Sequence, residues 1–142
     1  MPAVPKSVLA LDVGSKRVGV AVASLQARLP RPLVTLQVTD NGVLPALEDL
    51  IKSEDVGRLV VGLPRGMEGQ STAQTESTLE FSKALQQHFN LPIDMQDEAL
   101  TSIRAEEELR KRGKPYKPGD IDALAATYIL EDWLLTHKEL TS

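Results

Sequence analysis

The segment Ser7-Val-Leu-Ala-Leu-Asp-Val13 is an almost unbroken apolar run carrying one charge, Asp12, near its end. A short run of that kind, closed by a turn signal, is a strand buried on both faces. Gly14-Ser15-Lys16 reads as the turn, and Arg17 to Ser24 places Val18, Val20 and Val22 at alternate positions, so the chain opens with a β-hairpin. A carboxylate beside a core is costly unless a cation or hydrogen-bond donors receive it. Asp12 therefore either bonds the turn at Gly14 or faces a partner supplied by another part of the chain.

Pro32 to Val38 adds a third extended segment, and Leu44, Leu47, Leu50 and Ile51 recur at helical spacing after Asn41-Gly42. Arg58 to Leu63 is a short buried strand ended by Pro64 and a loop with Gly66 and Gly69. Ser71-x-x-Gln74 has capping-box spacing and opens a helix through Leu79, Leu85 and Phe89, ending near Asn90. Pro92 to Gln96 is a fifth strand that leads into Asp97-Glu98; Thr101 to Arg112 is a helix stopped by Gly113. Asp120 can cap a last helix whose apolar face holds Leu124, Ala125, Tyr128, Ile129 and Trp133. This order predicts an α/β fold, a ribonuclease H-like mixed five-stranded sheet with antiparallel N-terminal strands and parallel crossover strands, flanked by helices. At 142 residues the chain suits one domain over 1–142.

Cysteine is absent, so disulfides, thiolate metal sites and a cysteine nucleophile are excluded. Any metal must use oxygen or imidazole. Residues 1–10 hold one Lys and too short an apolar run for a signal peptide or membrane span, so a cytoplasmic protein with no membrane partner is expected. A net charge of -4 requires any nucleic-acid surface to be a local basic patch.

Three carboxylates are candidates for chemistry. Asp12 is the first. Asp97-Glu98 falls at the carboxyl edge of the sheet, where open α/β sheets bind ligands, and Glu98 is the second. Asp122 shares a helix face with Ala125, Ala126, Ile129 and Trp133, which turns it inward; Asp120 supplies the helix-dipole role instead. Hard oxygen ligands favour Mg²⁺ or Mn²⁺, and metal can generate hydroxide and stabilise a leaving oxygen without a histidine base. His88 and His137 lack a partner at metal-ligand spacing and read as surface residues. The basic patch is Arg110, Lys111, Arg112, Lys114 and Lys117, with Tyr116 as a stacking surface, joined by Lys16 and Arg17 in the first turn and Arg65 in the Gly66/Gly69 loop.

The blocks Leu11-Asp-Val-Gly-Ser-Lys-Arg-Val-Gly-Val-Ala-Val22, Val60-Val-Gly-Leu-Pro64 with Met67 and Gly69, Asp97-Glu-x-Leu-Thr101, and Ile121-Asp-x-x-Ala-Ala126 together resemble the bacterial YqgF/RuvX family. The likeness spans nearly the whole chain. It implies a small ribonuclease H-like nuclease, described as processing precursor 16S rRNA or as Holliday junction resolvase-like, with Asp12, Glu98 and Asp122 holding the metal. Three positions depart from the family pattern. Ala99 stands where Arg usually follows the Asp-Glu pair, and Arg65-Gly66 stands where an apolar residue and Asn are common.

The resemblance implies a metal-dependent nuclease acting on precursor rRNA, or on branched DNA as a homodimer that places two sites symmetrically. A nucleic-acid-binding ribosome-assembly factor without catalysis competes with it, although three carboxylates would repel phosphate unless metal intervened. Asp12-x-Gly14 also resembles the phosphate loop of sugar kinases and actin-like ATPases, but no second phosphate loop or adenosine-binding domain fits in the remaining chain.

Overall fold

The computed structural model describes residues 7–66 and 68–138. Met67, part of the family pattern above, lies outside them, as do both ends of the expected 1–142 domain. The elements are β1 (Ser7–Val13), β2 (Arg17–Ser24), β3 (Arg31–Gln37), α1 (Leu44–Ser53), β4 (Val56–Pro64), α2 (Ala73–His88), β5 (Ile93–Glu98), α3 (Thr101–Arg112) and α4 (Pro118–Thr136). They form one sheet in the order β3-β2-β1-β4-β5. The β1/β2 and β2/β3 pairs are antiparallel, whereas β1/β4 and β4/β5 are parallel. The mixed five-stranded sheet is thus the one the element order predicts.

Strand alternation divides the core. Leu9 and Leu11 pack with Leu47, Leu59 and Leu85 on the face covered by α1 and α2. Val8 and Ala10 pack with Ala21, Ala23, Val60, Ile129 and Trp133 on the opposite face, under α4. A further cluster, Ala105, Leu109, Leu124, Ala125 and Tyr128, fixes α3 onto α4.

Small residues on the second face let α4 lie close to the sheet. A Cβ on Gly19 would stand 2.0 Å from the Asp122 carbonyl oxygen, and one on Gly62 would stand 2.3 Å from Ile129 Cδ1. A side chain at Gly19 would have to move the helix backbone, and one at Gly62 would have to displace the Ile129 side chain.

Two helix starts differ from expectation. The cap of α2 is Thr72, not Ser71: the Thr75 amide donates to Thr72 Oγ1 and the Thr72 amide to Thr75 Oγ1. Ser71 is engaged elsewhere, accepting from Arg65 Nη1 at 3.0 Å. Helix α4 starts at Pro118, so Asp120 sits within its first turn and receives the Lys117 amide at 2.9 Å. Pro118 suits a first helical position because its missing N–H would have had no helical partner there. The strand β5 also runs two residues further than expected and includes Asp97 and Glu98.

Candidate active site

By strand parity, Asp12 points with Val8 and Ala10 to the α4 face. Asp94, Gln96 and Glu98 share the corresponding face of β5, since Ile93 and Met95 pack on the other side. Asp12 pairs in register with Gly19, the residue against which the Asp122 backbone rests. One close helix–sheet approach therefore sets Asp122 beside Asp12, while parity sets Glu98 on the same side of the sheet.

The two strand carboxylates line one cavity of about 230 Å³ together with Gly62, Pro64, Arg65 and Gln74. Burial, and then repulsion from Asp122, raises the Asp12 pKa to about 6. Burial also raises Glu98, to about 8, and a side-chain hydrogen bond with the Asp132 carboxyl raises it further. Glu98 Oε1 is buried with no hydrogen-bond partner among the described residues. Asp94, two pairs back on the same face of β5, differs sharply: it receives Arg58 at 3.1 Å and the Trp133 indole N–H at 2.8 Å. Asp94 is held by donors of the scaffold, whereas Glu98 meets a second carboxyl and faces a cavity.

Asp122 is held differently. Arg17 Nε donates to its Oδ2 at 2.5 Å, and both residues line a second cavity of about 520 Å³. Gln74 lines both cavities, so they adjoin. Among the described residues, no group of three or more acidic or histidine side chains is drawn together at metal-holding distance. The structure thus puts Asp12 and Glu98 on one cavity and Asp122 next door in an ion pair.

The basic residues occupy a connected track. Arg17 lines the Asp122 cavity and also a third, of about 480 Å³, with Lys117; the latter shares Pro32 and Asp120 with a fourth lined by Arg112, Lys114 and Tyr116. Arg110 pairs with Glu106 at 2.8 Å and Arg112 with Glu108 at 3.4 Å, so part of the cluster's charge is spent along α3. Lys111 is exposed. Tyr116 is half-buried against the α3–α4 cluster rather than freestanding. Arg65 lies at the lip of the carboxylate cavity, its Nε 3.3 Å from Asp97 and its backbone N–H donating to the Glu98 carbonyl.

Sequence reasoning missed Asp132. The signal was available: it lies three residues after Ile129, which faces Gly62, and so belongs to the inward side of α4. Reading His137 as a plain surface residue was also incomplete, because its ring stacks on Trp133 at 4.4 Å and its Nδ1 lies 2.8 Å from the Trp133 carbonyl oxygen. His88 is exposed, as expected.

A family model described as "RuvX: Holliday junction resolvase" matches residues 6–136. The chain belongs to the RuvX family. It is a nuclease, a hydrolase of phosphodiester bonds in nucleic acid. RuvX relatives carrying the name "Putative pre-16S rRNA nuclease" include one from Chloroflexus aurantiacus, 40% identical over 130 residues that cover 89% of this chain and 85% of the relative. Another, from Picosynechococcus sp., is 38% identical over 94% of this chain and 95% of its own. A third, from Coxiella burnetii, is 36% identical over 92% and 93%. Among solved structures, Thermus thermophilus RuvC superposes with a TM-score of 0.54 at 13% identity, covering 93% of this chain and 96% of RuvC. RuvC from T. thermophilus in complex with a Holliday junction substrate gives 0.52 at 15% identity, covering 92% and 95%. These likenesses establish the ribonuclease H-like fold of this RuvX chain. No helix among the described residues is long and apolar enough to cross a membrane.

Proposed function

We propose that this RuvX protein is a divalent-metal-dependent nuclease that processes the 5′ end of precursor 16S rRNA, with Asp12, Glu98 and Asp122 as its metal-holding carboxylates. The observation that carries the reading is Glu98 Oε1, a buried carboxylate oxygen without a hydrogen-bond donor among the described residues, on the cavity that Asp12 also lines. Two carboxylates raised mainly by burial form a site short of positive charge. Their donors are oxygens, cysteine is absent, and neither histidine lines the cavity, so the residues fit Mg²⁺ or Mn²⁺. When bound, such a metal supplies an activated water and stabilises charge on the leaving oxygen.

The chain's own residues do the rest. Asp12 and Glu98 would hold the cation from the sheet, and Asp122, which Arg17 engages, would join them. Arg65 offers a guanidinium at the cavity lip, on the register pair Pro64↔Glu98, where Ala99 contributes no charge. Lys16, Arg17, Lys114 and Lys117 line the cavities that continue from the site, and with Arg110, Lys111, Arg112 and Tyr116 they offer a path for a polyanion on an acidic body. A cytoplasmic location follows from a substrate made and processed there.

The family description favours a second reading, cleavage of branched DNA by a homodimer. The two separate in a cleavage assay on matched precursor-rRNA and four-way DNA junctions with Mg²⁺ or Mn²⁺. The first reading expects metal-dependent cutting of the precursor by wild type and none by Asp12→Asn. Preferential cutting of the junction supports the second, and cutting that survives Asp12→Asn overturns the site assignment.

A further inference from the structure

The cavity beside the carboxylates has the opposite chemistry. It lies between the β1–β2 turn and the first two turns of α2, and its lining includes Lys16, Arg17, Gln74, Ser77, Thr78 and Asp122. Two cations face one carboxylate. Arg17 engages Asp122 through Nε, and Lys16 has no ion-pair partner among the described residues.

The start of α2 adds donors. An α-helix leaves its first four N–H groups without helical acceptors. Here the Thr72 amide is received by Thr75 Oγ1 and the Thr75 amide by Thr72 Oγ1, which leaves those of Ala73 and Gln74 without an acceptor among the described residues. Both residues line the cavity.

Thr78 supplies an independent indication. It is 1% exposed, it lines the cavity one turn beyond Gln74, and its Oγ1 is buried with no hydrogen-bond partner among the described residues. A buried helical threonine ordinarily donates back to the carbonyl four residues earlier, as Thr127 does to Ala123 at 2.9 Å. Thr75, one turn back in α2, gives its hydroxyl to the Pro64 carbonyl. Thr78 does neither, and an unmet hydroxyl beside two cations and free amides suits an anion with several acceptor oxygens.

We propose that this cavity is a phosphate subsite for the substrate strand, seating a backbone phosphate adjacent to the one that is cleaved. Lys16 and Arg17 supply charge, the Ala73 and Gln74 amides and the Ser77 and Thr78 hydroxyls supply directional donors, and Gln74 joins the subsite to the carboxylate cavity. The identity of the ligand as a nucleic-acid strand rests on the nuclease reading. The anion site does not require the carboxylates to hold metal.

The test uses the full-length ¹⁵N-labelled protein in EDTA, titrated with inorganic phosphate and then with a short single-stranded oligoribonucleotide. Both ligands should move the Gln74, Ser77 and Thr78 amide resonances saturably. Lys16→Ala should weaken oligonucleotide binding about tenfold at low salt and reduce the salt-dependence slope by about 0.7. Thr78→Val, near-isosteric, should keep the fold and weaken phosphate binding about threefold. Asp12→Asn should leave the phosphate-induced shifts in place, which separates this test from the metal assignment. Shifts centred away from α2, or affinities unchanged in both Lys16→Ala and Thr78→Val, would overturn the proposal. So would phosphate binding with an oligonucleotide salt slope unaltered by Lys16→Ala, which would make the cavity a free-anion site.

Discussion

The two cavities that meet at Gln74 are lined by opposite charges, although the first hairpin and α2 each contribute to both. On the carboxylate side, Asp12 and Glu98 are half-buried with too little positive charge around them. On the other side, Lys16 and Arg17 outnumber Asp122, and a threonine hydroxyl lacks an acceptor. The first lining is short of a cation and the second of an anion. A phosphodiester strand carrying a metal beside one of its phosphates would satisfy both.

The sharpest way to break this contrast is to neutralise the acidic side. Asp12→Asn should lower cleavage by on the order of 10³-fold or more under saturating metal, measured as single-turnover cutting of a labelled substrate. The same change should stabilise the metal-free protein at pH 8 by roughly 1–3 kcal/mol, read by urea unfolding, because a desolvated carboxylate is removed. Loss of activity with gain of stability distinguishes a functional acid from a scaffold acid such as Asp94.

The geometry that joins the cavities can be broken without touching charge. Gly19→Val must push the α4 backbone off β2, and should cost about 3 kcal/mol or more in urea unfolding. It should also separate Asp122 from Asp12 and remove metal-induced stabilisation.

Titration sharpens the comparison next. Asp12 and Glu98 have folded pKa values of about 6 and about 8, above their ordinary 3.8 and 4.5. The folded state therefore binds more protons than the unfolded state across this window, and the metal-free protein loses stability as pH rises from about 4 to about 8. Metal displaces those protons. The Mn²⁺-induced rise in Tm should grow between pH 6 and pH 8.5, and Glu98→Gln should flatten the upper part of that rise.

The smallest expected effect lies at the lip. Arg65→Ala should raise KM about three- to tenfold with little change in kcat, and adding Ala99→Arg should recover part of the loss. Stability should change by less than about 1 kcal/mol, since the Arg65–Asp97 pair is at the surface.

Much of this architecture is legible in the chain. The lone Asp12 in an apolar strand, the turn at Gly14 and the alternating valines define the hairpin, and element order defines the mixed sheet. Strand parity even places Asp12 with Val8 and Ala10 on the face that α4 covers. The Arg17–Asp122 ion pair was not legible, because it joins residues 105 positions apart and depends on how closely α4 approaches Gly19. Thr78 was equally silent: its type and position are ordinary for a helix, and only its missing acceptor sets it apart. The Thr72 cap was obscured by a neighbouring serine with the same chemistry, and tertiary contact with Arg65 decided between them.

The most direct test of the central claim is where a paramagnetic metal binds. Mn²⁺ titrated into the ¹⁵N-labelled protein at pH 8 should broaden amide resonances around Asp12, Glu98 and Asp122 first, and Asp12→Asn should abolish that pattern while the fold persists. Broadening centred elsewhere, or unchanged by Asp12→Asn, would contradict the assignment of these carboxylates as the metal site.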